Sequence, residues 1–90
     1  MWQVRLAQRS QRQLRRLDPL QQQRVLKALS ELERDPLSPR KRIKRLQTPR
    51  GVLYRLRVGG YRIIYELSSG FVDVLGIVSR AELERFLKGL

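Results

Sequence analysis

Two alternating runs flank Gly59-Gly60 and leave the chain little choice of fold around them. Val52, Tyr54, Leu56 and Val58 alternate with Leu53, Arg55 and Arg57; past the glycines, Tyr61, Ile63, Tyr65 and Leu67 alternate with Arg62, Ile64 and Glu66. Period-two alternation of aromatic and branched residues predicts two strands sharing one buried face. A two-residue turn needs positive φ, which glycine adopts without steric penalty. That turn sets the register: Val58 opposite Tyr61, Arg57 opposite Arg62, Leu56 opposite Ile63, Arg55 opposite Ile64. The apolar sets then meet each other on one face. On the other face Arg55, Arg57 and Arg62 stand side by side, with the Arg62 side chain expected to point into solvent. Directly opposed like charges cost ~0.2–1 kcal/mol. A bound polyanion relieves that cost. So does splaying into solvent, or a carboxylate brought from elsewhere in the fold. From the hairpin itself, both readings stand.

The charge balance adds weight to the first. Twenty Lys and Arg against eight Asp and Glu give a net charge of +12 in 90 residues, and most of the cations are arginine. Arginine suits bidentate phosphate contacts, and such a surplus points to a polyanionic partner. The charges are also segregated. The segment 36–57 holds Arg40, Lys41, Arg42, Lys44, Arg45, Arg50, Arg55 and Arg57 and no acid; the segment 1–17 holds only arginines among its charged residues. Several function classes recede. The chain has no cysteine and no histidine, which removes thiolate chemistry, the usual metal ligands and the usual acid–base side chain. Its carboxylates are scattered, so neither a metal nor a cofactor is expected. No apolar run is long enough for a membrane helix, and the N-terminus lacks the apolar core of a signal peptide. A cytoplasmic location without membrane attachment is the expectation.

The rest of the chain falls into place around the hairpin. Trp2 to Ala7 alternates as a short first strand. Ser10 to Leu17 reads as a short arginine-rich helix, with Ser10 and Gln13 as a weak capping box. Asp18-Pro19 predicts a stronger helix start, with aspartate as N-cap and proline in the first turn. That helix buries Val25, Leu29 and Leu32, with Leu26 widening the stripe, and stops at Asp35-Pro36. The segment 36–51 reads as a basic, proline-punctuated loop. Phe71 to Val78 is nearly continuously apolar, as in a strand buried on both faces. A short C-terminal helix turns Leu83, Phe86 and Leu87 inward. Residues 1–90 therefore form one α+β domain of order β-α-α-β-β-β-α, its helical hairpin packed on one face of a small, largely antiparallel sheet.

The hairpin "YRLRVGGYRIIYEL", preceded by a basic loop ending "KRL" and followed by "VDVLGIVSR", resembles the RelE/ParE superfamily of toxin–antitoxin toxins. The helical hairpin "LRRLDPLQQQRVLKALSELERDP" fits as well, and the RelE branch is the nearest. The resemblance implies a RelE-like fold and a toxin that cuts mRNA in the ribosomal A site. It also implies a cognate acidic, RelB-like antitoxin that wraps the toxin in a hetero-oligomer. Carried over position by position, it implies that Arg55, Arg57, Arg62 and Arg80 act on the scissile phosphate. Arg40, Lys41, Arg42, Lys44 and Arg45 of the loop, with Arg12, Arg15 and Arg16 of the first helix, would contact RNA, chiefly rRNA. Relatives often carry lysines at the first two positions, a tyrosine in the C-terminal segment and, in some, a histidine near the site. Here the first two are arginine, no tyrosine follows Tyr65, and histidine is absent. RNA binding therefore carries over more directly than the chemistry.

Cleavage by the RNA's own 2′-hydroxyl requires a group to take the 2′ proton, a group to protonate the leaving 5′ oxygen, and stabilisation of the pentacoordinate phosphate. Arginines serve the last well, a single one contributing ~10³–10⁵ in phosphoryl transfer. They serve the first poorly, because their pKa lies above ~12. Glu84 and Glu66 are the candidate acid–base groups, although for each a solvated surface carboxylate paired with a nearby arginine is the favoured reading. For Tyr54, Tyr61 and Tyr65, core packing is favoured over base stacking. Two other functions fit the same residues: a ParE-like inhibitor of DNA gyrase that cuts nothing, and an inactive module that binds RNA or ribosomes.

Overall fold

The hairpin forms in the register its glycines dictate. Tyr54 pairs with Tyr65, Arg55 with Ile64, Leu56 with Ile63, Arg57 with Arg62 and Val58 with Tyr61. Gly59 has φ 58° and Gly60 has no positive φ, the pattern of a type II′ turn, whose twist matches that of the flanking strands. The computed structural model describes residues 1–37 and 42–90. Strand β1 (Gln3–Leu6) leads into helices α1 (Gln8–Arg16) and α2 (Pro19–Arg34). Strands β2 (Ile43–Thr48), β3 (Gly51–Val58), β4 (Tyr61–Ser68) and β5 (Phe71–Ser79) follow, and a 3-10 turn at Arg80–Glu82 opens α3 (Leu83–Lys88). The sheet order is β1-β5-β4-β3-β2. β1 pairs with β5 in parallel, and β2 with β3, β3 with β4 and β4 with β5 are antiparallel.

The α+β architecture and the helical hairpin stand as the sequence predicts, with one strand more. β2 lies inside the segment read as a loop and pairs antiparallel with β3 from Ile43–Leu56 to Thr48–Gly51. As an edge strand it buries little: Ile43 and Leu46 are half-buried, while Lys44, Arg45 and Gln47 are exposed. Its apolar residues are three apart, so period two gives no signal.

Helix α2 starts as predicted, with Asp18 accepting the Gln21 N–H at 3.0 Å and Pro19 in the first turn. Its buried stripe is Val25, Ala28, Leu29 and Leu32, whereas Leu26 is 48% exposed. Ala28 completes the i, i+3, i+4, i+7 face, and Leu26 lies a further ~100° round the helix. The predicted cap at Ser10 is replaced by something more useful. Helix α1 begins two residues earlier, and Ser10 is fully buried. Its hydroxyl donates to the Val74 carbonyl at 2.9 Å, and Gln13 Oε1 accepts the Ile77 N–H at 2.7 Å. β1 stops opposite Val74, so α1 side chains satisfy the backbone of β5 where its neighbour ends.

That stretch of β5 also contains a bulge. Tyr65 pairs with Val74 and Ile64 with Gly76, leaving Leu75 unpaired. The extra residue switches which side chains face which way. Val72, Val74 and Ile77 join the main core between the sheet and α2, with Leu56, Ile63 and Tyr65. Leu53, Ile64, Val78 and Phe86 form a smaller cluster on the opposite face, with Leu75, Leu83 and Leu87 against it. Helix α3 therefore covers part of the face that carries the arginines, its inner residues those the sequence predicts. It sits close because Gly76 has no side chain: a Cβ there would lie 2.4 Å from the Phe86 ring.

Candidate functional site: a cleft of four arginines

The sheet register brings Arg55 and Arg57 of β3 beside Arg62 of β4. Arg80, the first residue beyond β5, joins them, and Leu83 and Glu84 of α3 close the far side of a cleft of about 470 Å³. The same hairpin turn organises two of the four. The Gly60 carbonyl accepts the Arg80 N–H at 3.0 Å. Arg62 folds back so that Nη1 donates to the carbonyls of Gly59 at 3.0 Å and Tyr61 at 2.9 Å.

Arg62 thus departs from its expected place in solvent: it is 8% exposed. β4 is an inner strand, and its register neighbours at this level are Arg57 on one side and Val78 on the other. The turn carbonyls hold the guanidinium there. Desolvation lowers the Arg62 pKa from its ordinary value, and the charges of Arg55, Arg80 and Arg57 add to the shift. Burial and like charge both disfavour this cation, and among the described residues its hydrogen bonds go to neutral carbonyls. Half-buried Arg55 leaves its Nε buried without a hydrogen-bond partner among the described residues. None of the four arginines forms an ion pair among the described residues.

A device that the sequence analysis passed over sets Arg80 and α3. Ser79 and Glu82 form a capping box: Glu82 Oε1 accepts the Ser79 N–H at 3.1 Å and its hydroxyl at 2.8 Å, while the Ser79 hydroxyl accepts the Glu82 N–H at 3.3 Å. These bonds hold the Glu82 carboxyl below its ordinary pKa. The signal was present as Ser-Arg-Ala-Glu directly after an apolar strand.

The two candidate carboxylates part company. Glu84 is exposed and lines the arginine cleft. Glu66 does not reach it. Arg50 Nη2 and Nε grip its carboxylate at 3.0 and 3.2 Å. It also lies four residues along β4 from Arg62, ~13 Å at the strand rise, too far to act on a phosphate held in the arginine cleft. Among the RNA-contact candidates, Lys44 is exposed and pairs in register with Arg55, which extends the basic face onto β2. Arg45 pairs with Tyr54 and so belongs to the opposite parity. Arg42 Nη2 stands 3.5 Å from Glu31. Arg12, Arg15 and Arg16 are exposed on α1, outside the cleft. Arg40 and Lys41 lie outside the described residues.

The tyrosines pack. Tyr65 is fully buried, its hydroxyl donates to the Pro36 carbonyl at 2.5 Å, and burial raises its pKa. Tyr54 stacks on it with ring centroids 5.5 Å apart.

A cleft lined by unpaired guanidiniums is suited to a phosphate whose charge grows during reaction. Comparison with known proteins identifies the family and the fold. The family described as the ParE toxin of the type II toxin–antitoxin system, parDE, matches residues 4–84. No curated protein matches the sequence. Among solved structures, the chain is similar to the archaeal RelE–RelB complex from Pyrococcus horikoshii OT3, at 25% identity and TM-score 0.77 over 88% of this chain and 94% of that one. It is also similar to the toxin–antitoxin complex RelBE2 from Mycobacterium tuberculosis, at 28% identity and TM-score 0.61 over 88% and 98%. The YoeB/ParE toxin from Agrobacterium tumefaciens, at 13% identity and TM-score 0.75 over 87% and 98%, shares the fold.

Proposed function

The chain belongs to the ParE toxin family of type II toxin–antitoxin systems, and on that premise we propose that it is an mRNA endonuclease acting on the ribosome. One observation carries the reading: Arg55, Arg57, Arg62 and Arg80 line a single cleft, unpaired with any carboxylate among the described residues. In that cleft the 2′-oxygen attacks the adjacent phosphorus, the O2′–P bond forms and the P–O5′ bond breaks. The arginines hold the phosphoryl oxygens and stabilise the charge of the phosphorane. We assign Glu84, the carboxylate at the rim, to taking the 2′ proton, and the departing 5′ oxygen takes its proton from water. Alignment of the mRNA by the ribosome supplies the positioning that a small, open cleft lacks.

The same reading gives the partner. An acidic, RelB-like antitoxin supplies carboxylates to the arginine face, speeds its own association by charge complementarity and silences the toxin. Because the matching family is that of the ParE toxin, we keep a second reading, a ParE-like inhibition of DNA gyrase without cleavage. Mapping mRNA 5′ ends after induction, with a supercoiling assay on the purified protein, separates the two. New ends within codons support the nuclease. Blocked supercoiling without new ends overturns it in favour of gyrase.

A further inference from the structure

A second basic cleft, of about 400 Å³, opens on the other side of the hairpin turn, between α2 and the start of β2. Its cations are Arg24 and Lys27 of α2 and Arg42. Arg24 and Lys27 are exposed, lie one turn apart on one face of the helix, and form no ion pair among the described residues. Arg42 is loosely held by Glu31 at 3.5 Å, so a phosphate competes for it. The two clefts share a wall. On one side of Gly59, Arg62 Nη1 binds its carbonyl at 3.0 Å; on the other, Arg24 Nη1 stands 3.6 Å from where a Gly59 Cβ would be. Arg42 closes the gap round the edge of the sheet. It precedes Ile43, which pairs with Leu56, and so stands at the same end of the sheet as Arg57. The apolar floor, Ala28 and Val58, is 4% and 5% exposed, too little to seat the side chains of an amphipathic peptide.

We propose that this second cleft is a phosphodiester-binding subsite that carries the RNA strand from the arginine cleft round the hairpin turn, with Arg24 and Lys27 as its phosphate ligands. The proposal rests on the reading of the arginine cleft as an RNA site and extends it to nucleotides away from the reacting phosphate. Single-stranded RNA is followed in this way by cations that track its backbone.

The test compares a 2′-O-methyl trinucleotide with a 2′-O-methyl dodecamer, neither of which can be cut, by fluorescence anisotropy across a salt series. The proteins are the parent, an Arg24→Gln/Lys27→Gln variant and an Arg80→Gln variant, each first checked for an unchanged melting temperature. The double variant should bind the dodecamer about tenfold or more weakly, with a salt slope shallower by about 1.4 for two lost contacts. Its trinucleotide affinity should equal the parent's. Unchanged dodecamer affinity overturns the subsite, as does an equal loss on both probes. So does a loss confined to binding of polyglutamate, which assigns the cleft to an acidic protein instead. The Arg80→Gln protein tests the underlying reading separately: trinucleotide affinity indifferent to Arg80 sinks the arginine cleft as an RNA site, whatever the dodecamer does.

Discussion

At one end of β4, Glu66 stands opposite Asp73 of β5; at the other, Arg62 stands opposite Arg57 of β3. Both are like-charge pairs on the same face of the same sheet. The carboxylates are each given a partner. Arg50 takes Glu66, Arg5 takes Asp73 at 2.6 and 3.0 Å, and the Ser68 hydroxyl adds a bond to Asp73 at 2.7 Å. The bonds from Arg5 hold the Asp73 carboxyl below its ordinary pKa, with Ser68 adding to the effect. Among the described residues the arginines receive no carboxylate: Arg62, the most crowded and buried, bonds to backbone carbonyls, and Arg55 Nε has no partner. A chain that neutralises one end of a sheet face and concentrates charge at the other is not short of carboxylates in general. Among the described residues it pairs none of them with these arginines, although Glu84 stands at the rim. Unrelieved charge that works against folding is what a site kept for a charged ligand looks like.

The comparison is broken most forcefully at Arg62. Arg62→Met keeps most of the side-chain volume and removes the buried charge, and the two carbonyls it leaves belong to exposed Gly59 and half-buried Tyr61. Replacing a buried charge by an apolar side chain of similar volume often stabilises by ~1 kcal/mol or more. The melting temperature should therefore rise by about 4 °C or more, while mRNA cleavage on programmed ribosomes falls by at least ~100-fold. A variant that melts earlier and cuts like the parent would make the basic end as structural as the acidic one.

Gly76 lies between the two ends, paired with Ile64. Gly76→Ala drives a Cβ into the Phe86 ring, and overpacking of this kind costs ~1–3 kcal/mol. Denaturant unfolding should register that loss. Cleavage should fall further than the folded fraction, because Leu83 and Glu84 move away from the arginines with α3. The double variant Gly76→Ala/Phe86→Leu should recover both. Activity that simply follows the folded fraction would mean that α3 is only a cover.

At the acidic end the effects are smaller. Asp73→Asn weakens a pair whose arginine is 54% exposed, so solvent screening limits the loss to ~0.5–1 kcal/mol. Cleavage by the folded protein should be unchanged; a large loss of activity there would dissolve the contrast between the ends. The pH dependence sharpens the same point. The folded Asp73 carboxyl is held below its unfolded value, so its contribution is fully present above ~pH 4 and is lost as pH falls further. The melting-temperature gap between parent and Asp73→Asn should stay constant near neutrality and close in acid. Glu82 loses its capping contribution in the same window in both proteins, and cancels from the difference.

Much of this molecule could be read from local pattern. Alternation about Gly59-Gly60 gave the hairpin, its register and the row of arginines. Asp18-Pro19 gave the start of α2, and the apolar run of β5 gave a strand covered on both faces. These features depend on neighbours in sequence, where period and turn chemistry act directly. The same pattern was silent on β2, whose half-buried edge leaves no alternation. It also misread Ser10, because a serine near a helix start looks like a cap whether or not another strand waits beneath it. Glu66 and Glu84 looked alike as isolated carboxylates. Which of them met an arginine partner and which met the cleft depended on strand register and on where α3 landed. The chain's local chemistry set the elements, the turn and the sign of the face. The burial of Arg62, the meeting of Arg80 with β3 and β4, and the separation of the two charged ends came from contacts between residues distant in sequence. Desolvation and charge repulsion arise only when those residues are brought together, so no local period records them.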